Sequence, residues 1–177
     1  LVPEAFGVVA TLTMVVSFAE IFTDAGFQKY LIQHQFDTEE DLNQNTNVAF
    51  LTNLIVSCAM VALICFFRHP LAQLVGSPGL GNAIGLSSFN IILVAFSSIQ
   101  TARYRRDFNF RTLFISRVGA ALIPLVVTVP LAFVLRNYWA LIIGTLISNF
   151  YIAVILTLRS AWKPNLFFRA ALLKKMM

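Results

Sequence analysis

The sequence predicts an all-α fold, a polytopic bundle of transmembrane helices, and three observations carry that prediction. Of the 177 residues, 58% are hydrophobic and only 12% charged, with a mean hydropathy of +0.78, whereas an ordinary soluble domain is about one-quarter charged. Five apolar stretches reach the roughly 20 residues that a helix needs to cross a bilayer. The charges are gathered into the segments between those stretches instead of being spread through them.

The predicted spans are 5–23, 46–67, 80–100, 113–135 and 138–158. The second is the most uniformly apolar in its C-terminal half, and Asp37-Thr38-Glu39-Glu40-Asp41 reads as a capped, acid-rich helix start leading into it. His69-Pro70 and Ser77-Pro78-Gly79 punctuate the connector to the third span. That third span is the most polar, with Asn82, Asn90 and four serines. The fourth contains Pro124 and Pro130, which bend a membrane helix where neighbours or water take up the freed carbonyls. Within it, Gly119-Ala120-Ala121 reads as a place of close helix packing. The fifth begins on Tyr138-Trp139, placed for an interfacial aromatic belt, as is Trp162 beyond its far end. Short connectors make neighbouring spans antiparallel.

Orientation follows from the basic residues. Lys29, Arg103, Arg105, Arg106, Arg111, Arg117, Arg159, Lys163, Arg169, Lys174 and Lys175 fall on one side, and only Arg68 and Arg136 on the other. By the positive-inside bias, loops 24–45 and 101–112 and the C-terminal tail are predicted to be cytoplasmic. The stretch Thr101–Arg117 (TARYRRDFNFRTLFISR) is the densest charge knot and is expected to be a surface loop. The N-terminal end faces outward, and with no initial Met and no charged leader the chain is expected to be a fragment that follows an earlier span. The net charge of +5 is explained by this topology, so nucleic acid is not an expected partner. Cys58 and Cys65 lie in an apolar run and read as small hydrophobes, not as a disulfide or metal pair.

No catalytic constellation is visible. There is no Gly-rich phosphate loop, no HExxH and no nucleophile elbow, and the topology puts His34 and His69 on opposite sides of the membrane. Neither an enzyme activity nor a cofactor or metal is expected. Polar groups in the spans are the better lead, because ionisable side chains in hydrocarbon face a partner or a wet cavity. Glu20 and Asp24, four apart on one helix face, read either as acids that line a cavity and exchange cations or protons, or as an ordinary interfacial helix end. Arg117 lies about 6–9 Å inside the fourth span; it either snorkels to the interface or grips an anionic group from a central cavity. Arg103, Arg105, Arg106 and Arg111 either set orientation and touch lipid headgroups or bind a phosphate. Asn90, Thr145 and Asn149 line a polar lumen or bond between helices.

The order of several short motifs adds a family resemblance. Leu1–Gly7 (LVPEAFG) resembles the L-x-P-E-x-F-G that follows the first helix of bacterial polysaccharide flippases. Phe22–Phe27 (FTDAGF) with Leu31-Ile32-Gln33 is similar to their D-x-G…LIQ stretch, and Thr38–Asn43 (TEEDLN) to their entry into the third helix. Ala102–Phe110 (ARYRRDFNF) departs slightly from their L-x-R-x-x-x-F segment. Trp139-Ala140-Leu141 and Trp162-Lys163-Pro164 fall in the expected order. Across nearly the whole chain the likeness is to the WzxC-like lipopolysaccharide biosynthesis transporters of the multidrug/oligosaccharidyl-lipid/polysaccharide (MOP, MATE-like) exporter superfamily.

The resemblance implies that 1–177 is a partial N-terminal lobe, helices two to six, lacking the first helix and the C-terminal lobe. It implies a flippase that carries a polyprenyl-pyrophosphate-linked oligosaccharide across the bacterial inner membrane by alternating access, for lipopolysaccharide or exopolysaccharide synthesis. Basic residues would attract the pyrophosphate and a cation or proton gradient would drive the cycle, roles carried over to Arg117, Glu20 and Asp24. Membrane lipids and polysaccharide-assembly proteins are the implied partners. Two other readings stand beside it. A multidrug or small-solute cation antiporter would favour acids over arginines in the cavity. A membrane enzyme or subunit of polysaccharide synthesis would need a sizeable loop with catalytic acids, and loop 24–45 has acids but no recognisable sugar-nucleotide site.

Overall fold

The computed structural model describes residues 3–24, 26–74, 76, 78–160 and 162–163, the side chains of 3–6, 22–24 and 78 excepted. Among these residues every regular element is helical: α1 (Pro3–Asp24), α2 (Phe27–Gln33), α3 (Glu39–Phe66), α4 (Arg68–Leu74), a 3-10 turn at Pro78–Leu80, α5 (Gly81–Arg106), α6 (Phe110–Ile123), a π-turn at Pro124–Thr128, α7 (Val129–Leu135) and α8 (Trp139–Arg159). Four helical stretches are long and apolar enough to cross a membrane: Glu39–Phe66, Gly81–Arg106, Phe110–Leu135 and Trp139–Arg159. The first predicted span falls on α1, whose described apolar portion runs Gly7–Ile21. The tail basic residues Arg169, Lys174 and Lys175, and the Leu1-Val2 and Pro164 ends of two motifs, lie outside the described residues.

Two predicted loops are corrected. Segment 101–112 is not a loop, because α5 continues to Arg106 and α6 begins at Phe110. Arginine is a good helix former, and Arg103, Arg105 and Arg106 in the last turn favour the negative end of the helix dipole. The chain turns only at Phe108, which takes a left-handed φ of 53°. The Asn109 N–H then bonds to Tyr104 O at 2.9 Å, and the Asn109 side chain caps α6 by accepting from the Thr112 N–H at 3.2 Å. Segment 24–45 is likewise largely helical. It holds α2, and α3 starts at Glu39, so the acid run forms its first turn with Thr38 accepting from the Asp41 N–H at 3.1 Å.

The short α2 stays folded because α5 caps it. Arg106 Nη1 donates to the carbonyls of Leu31 and His34 at 2.8 and 2.6 Å, groups that a helix end leaves unsatisfied. The same guanidinium lies 4.8 Å over the Phe36 ring. Arg103 donates to Asn43 Oδ1 on α3. Replacing Arg106 by alanine is expected to lower stability by about 1.5 kcal/mol, the scale of charge-assisted hydrogen bonds. Thermal unfolding in detergent measures it, and Arg106→Lys, without the planar stack over Phe36, should recover only part.

α5 is the central helix and packs against α1, α2, α3, α4, α6 and α8. Its buried positions are mostly small, including Gly81, Ala83, Gly85, Ser88, Ala95 and Ala102, and small residues let helices approach closely inside a bilayer. Two apolar clusters flank it. Leu12 and Val16 of α1, Val61 and Ile64 of α3, and Ile84 and Ile91 of α5 meet at one end. Phe27 and Leu31 of α2, Phe50 of α3, Ile99 of α5 and Trp162 meet at the arginine-rich end. Trp162 is therefore packed against Phe50, ring centroids 5.8 Å apart, instead of standing free in an interfacial belt. Gln100 and Thr157 (2.9 Å) and Tyr104 OH to Leu156 O (3.1 Å) tie α5 to α8.

The fourth span has its one break in α-helical pattern at Pro124, the first of its two prolines. The helix widens there into a π-turn in which the Val129 N–H bonds to Pro124 O, a geometry that absorbs a missing donor without ending the helix. On either side of the π-turn this span lies close on α8. A Cβ on Gly119 would collide with the Tyr151 ring, and one on Gly144 with the Thr128 side chain.

Candidate functional site: a polar concave face

Three helices carry a polar stripe on one face. On α1 it is Thr13, Ser17 and Glu20; on α5 it is Ser87, Asn90, Ser97, Ser98, Thr101 and Arg105; on α8 it is Thr145 and Asn149. Steps of three and four residues keep these groups on one side of each helix. Packing of α5 against α1 and α8 joins the stripes into one wall. Along α5, from Ser87 to Arg105, that wall is about 27 Å long at 1.5 Å per residue.

The wall encloses three adjoining hollows. The first, about 80 Å³, lies among Thr13, Ser17, Glu20, Ser87, Asn90 and Thr145. The second, about 310 Å³, shares Ser17 and Glu20 with it and adds Gln28, Asn53 and Ser98. The third, about 320 Å³, shares Gln28 and Ser98 with the second and adds Thr101, Arg105, Ser116, Arg117 and Asn149. Hydroxyls and carboxamides, set among aliphatic side chains such as Val9, Leu12, Val16 and Ile142, thus supply most of the polar groups at one end, and two guanidinium groups lie at the other.

Hydrogen bonds hold the wall together across helices. Asn149 Nδ2 donates to Asn90 Oδ1 at 2.6 Å, and Asn90 Nδ2 donates to Glu20 Oε1 at 3.3 Å. This relay joins α8, α5 and α1. Asn53, only 1% exposed, donates to Ser98 Oγ at 2.9 Å and fixes α3 behind the wall. Beyond the arginine-rich end, Tyr30 stacks on His34 with centroids 4.7 Å apart. Burial raises its phenol above the ordinary value, and the Asp41 carboxylate raises it further.

The structure separates the candidate residues. Glu20 is on the wall and bonded to Asn90. Asp24 is the last residue of α1, and its side chain lies outside the described residues. Arg117 stands seven residues into α6, about 10 Å from its start, and lines the third hollow together with Arg105. Arg103 and Arg106 are instead turned to α3 and α2. Arg111 is exposed in the first turn of α6. The wall residues Thr13, Ser17, Gln28, Asn53, Ser87, Ser97, Ser98 and Thr101 were not picked out by the sequence reading. The three-and-four spacing of polar residues within the apolar spans is the signal that marks most of them.

In a low-dielectric bundle such a wall has two chemical zones. Arg105 and Arg117 can hold an anionic group by charge-assisted hydrogen bonds. The neutral carboxamides and hydroxyls suit a ligand rich in hydroxyl groups, for which they offer both donors and acceptors. Fold and wall together define a polytopic helical membrane protein with a polar internal face. The sequence profile described as "polysaccharide biosynthesis protein" matches residues 1–177, the whole chain, and the protein belongs to that family. No curated protein and no solved structure matches it.

Proposed function

We propose that this chain forms one wall of the translocation path of a flippase, which moves lipid-linked oligosaccharide units across the bacterial inner membrane for lipopolysaccharide or exopolysaccharide synthesis. The observation that carries this reading is the continuous wall of polar groups, cationic at one end and built of hydroxyls, carboxamides and the single acid Glu20 at the other. Arg105 and Arg117 would take the pyrophosphate of a polyprenyl-linked donor, and the carboxamide and hydroxyl zone would take the sugars. The likeness to WzxC-like transporters of the MOP superfamily supports the same reading, with alternating access as the mechanism. Glu20, bonded through Asn90 to Asn149, is the group we assign to the coupling cation or proton, with Asp24 near it in sequence. In this reading the arginine-rich end faces the cytoplasm, where the oligosaccharide-lipid is made and where polysaccharide-assembly proteins would meet the transporter. The chain acts as a carrier and makes no covalent change in its cargo.

The test is the pool of lipid-linked intermediates in a strain deleted for the full-length gene. Complete oligosaccharide-lipid, retained on the cytoplasmic side, is the expected result. Loss of that intermediate would place the protein in synthesis. An unchanged pool would favour a small-solute cation antiporter, the reading that the acid in the wall, Glu20, otherwise suits.

A further inference from the structure

The α5–α8 pair has a second face, turned away from the polar wall. There Ile92, Leu93 and Phe96 of α5 and Phe150, Val154 and Leu158 of α8 line an open groove of about 370 Å³ whose exposed wall is entirely apolar. At the arginine-rich end of the same two helices lies a separate cleft of about 120 Å³. Arg103, Tyr104 and Asp107 line it from the end of α5, Arg159 and Ser160 from the end of α8, and Trp162 closes one side.

Groove and cleft follow one another along the chain and in space. Thr157 and Leu158 belong to the groove, and Arg159 and Ser160 to the cleft. Phe50 bridges them from behind, edge-on to Phe96 of the groove at 5.1 Å and to Trp162 of the cleft at 5.8 Å. The cleft is built but not satisfied. Trp162 is 6% exposed, and its indole N–H has no hydrogen-bond partner among the described residues, a costly state for a buried donor. Arg103 is held by Asn43 Oδ1 and stands 5.9 Å from the Trp162 ring centroid, which leaves further donors of its guanidinium for a ligand. Arg103 and Arg159 outnumber Asp107 in the cleft, and of the further charges that reach Arg103, Glu39 and Arg106 oppose one another, so the cleft is net cationic.

We propose that this groove and cleft together form a binding site for a phospholipid with an anionic headgroup, its chain along α5 and α8 and its phosphate between Arg103, Arg159 and the Trp162 N–H. The shape selects the occupant. A soluble anion would have no use for the groove, and an apolar helix would leave the cationic cleft unmet. Basic pockets at the ends of membrane helices suit anionic headgroups for the same reason. The site lies on the opposite side of α5 from the transport wall, so it stands whether or not the flippase reading holds.

Native mass spectrometry of the full-length protein in detergent tests this, with phosphatidylglycerol and phosphatidylethanolamine of identical chains as the added lipids. Phosphatidylglycerol should be retained about tenfold better, the scale of one charge-assisted hydrogen bond. Arg159→Gln, a change at an exposed position, should abolish that preference. Trp162→Phe, which keeps an aromatic ring toward Phe50 but removes the N–H together with the volume of one ring of the indole, should weaken phosphatidylglycerol severalfold. Val154→Trp should fill the groove and lower retention of both lipids alike. Equal retention of the two lipids by the unaltered protein would overturn the proposal. So would unaltered phosphatidylglycerol binding by Arg159→Gln and Val154→Trp, the result expected if a protein segment occupies the groove.

Discussion

Arg117→Ala should abolish translocation of the oligosaccharide-lipid while leaving the protein in the membrane at its usual level. Arg117 lines the hollow at the cationic end of the wall. Its partner there is Arg105, whereas Arg103 and Arg106 are committed to α3 and α2. Arg117 is exposed along the hollow, and removing a guanidinium that holds an anion there by charge-assisted hydrogen bonds costs roughly 1.5–3 kcal/mol, or about 10- to 150-fold in binding. Arg111 is also exposed but lies outside the hollow, so Arg111→Ala serves as the contrast and should change little. Arg117→Lys should retain part of the activity, because it keeps the charge but not the two-pronged fork. The readout is surface polysaccharide in cells whose only copy is the variant. Normal polysaccharide with Arg117→Ala would remove Arg117 from the path.

The second large effect is structural. Gly144→Leu should lower stability by about 3 kcal/mol, the upper range for forcing volume into a packed site. The cause is local: a Cβ at Gly144 already collides with the Thr128 side chain at the π-turn of the fourth span. Gly144→Ala should therefore cost less than Gly144→Leu but still be felt. Thr128→Ala should be mild by itself, because the Thr128 hydroxyl is buried without a hydrogen-bond partner among the described residues. The pair Gly144→Ala with Thr128→Ala should be more stable than Gly144→Ala alone. A double-mutant cycle on thermal unfolding in detergent reads this coupling, and strict additivity would show that the two positions do not meet.

Hydropathy made the spans legible, since long apolar runs have few alternatives to a membrane helix. It could not see α2 and α4. Each is seven residues long, too short for a period to register, and α2 depends on a cap from Arg106, 75 residues away from Leu31. The arginine knot was misread for a related reason. Treated as a loop, Arg103, Arg105 and Arg106 have no defined directions. On a helix continuing to Arg106, each residue turns about 100°, and near neighbours are sent to different partners. Arg105 then joins Arg117 on the wall while Arg103 and Arg106 hold other helices. Asn90, Thr145 and Asn149 were open to two readings, lumen or interhelical bond. Asn90 and Asn149 do both, bonding to each other while lining the first and third hollows, whereas Thr145 lines the first hollow and bonds within α8, to Leu141 O.

The central claim is that one face of α1, α5 and α8 borders a water-filled path and the opposite face of α5 and α8 does not. Cysteine labelling in membranes carrying the full-length protein tests it, after Cys58 and Cys65, both free thiols, have been changed to alanine. A charged thiosulfonate reacts only with a thiolate, which needs water to form. The account predicts labelling at Ser17→Cys, Ser97→Cys and Thr145→Cys, protection of Ser97→Cys by added oligosaccharide-lipid, and no labelling at Leu93→Cys or Val154→Cys. Labelling at the groove positions with none along the polar wall would contradict it.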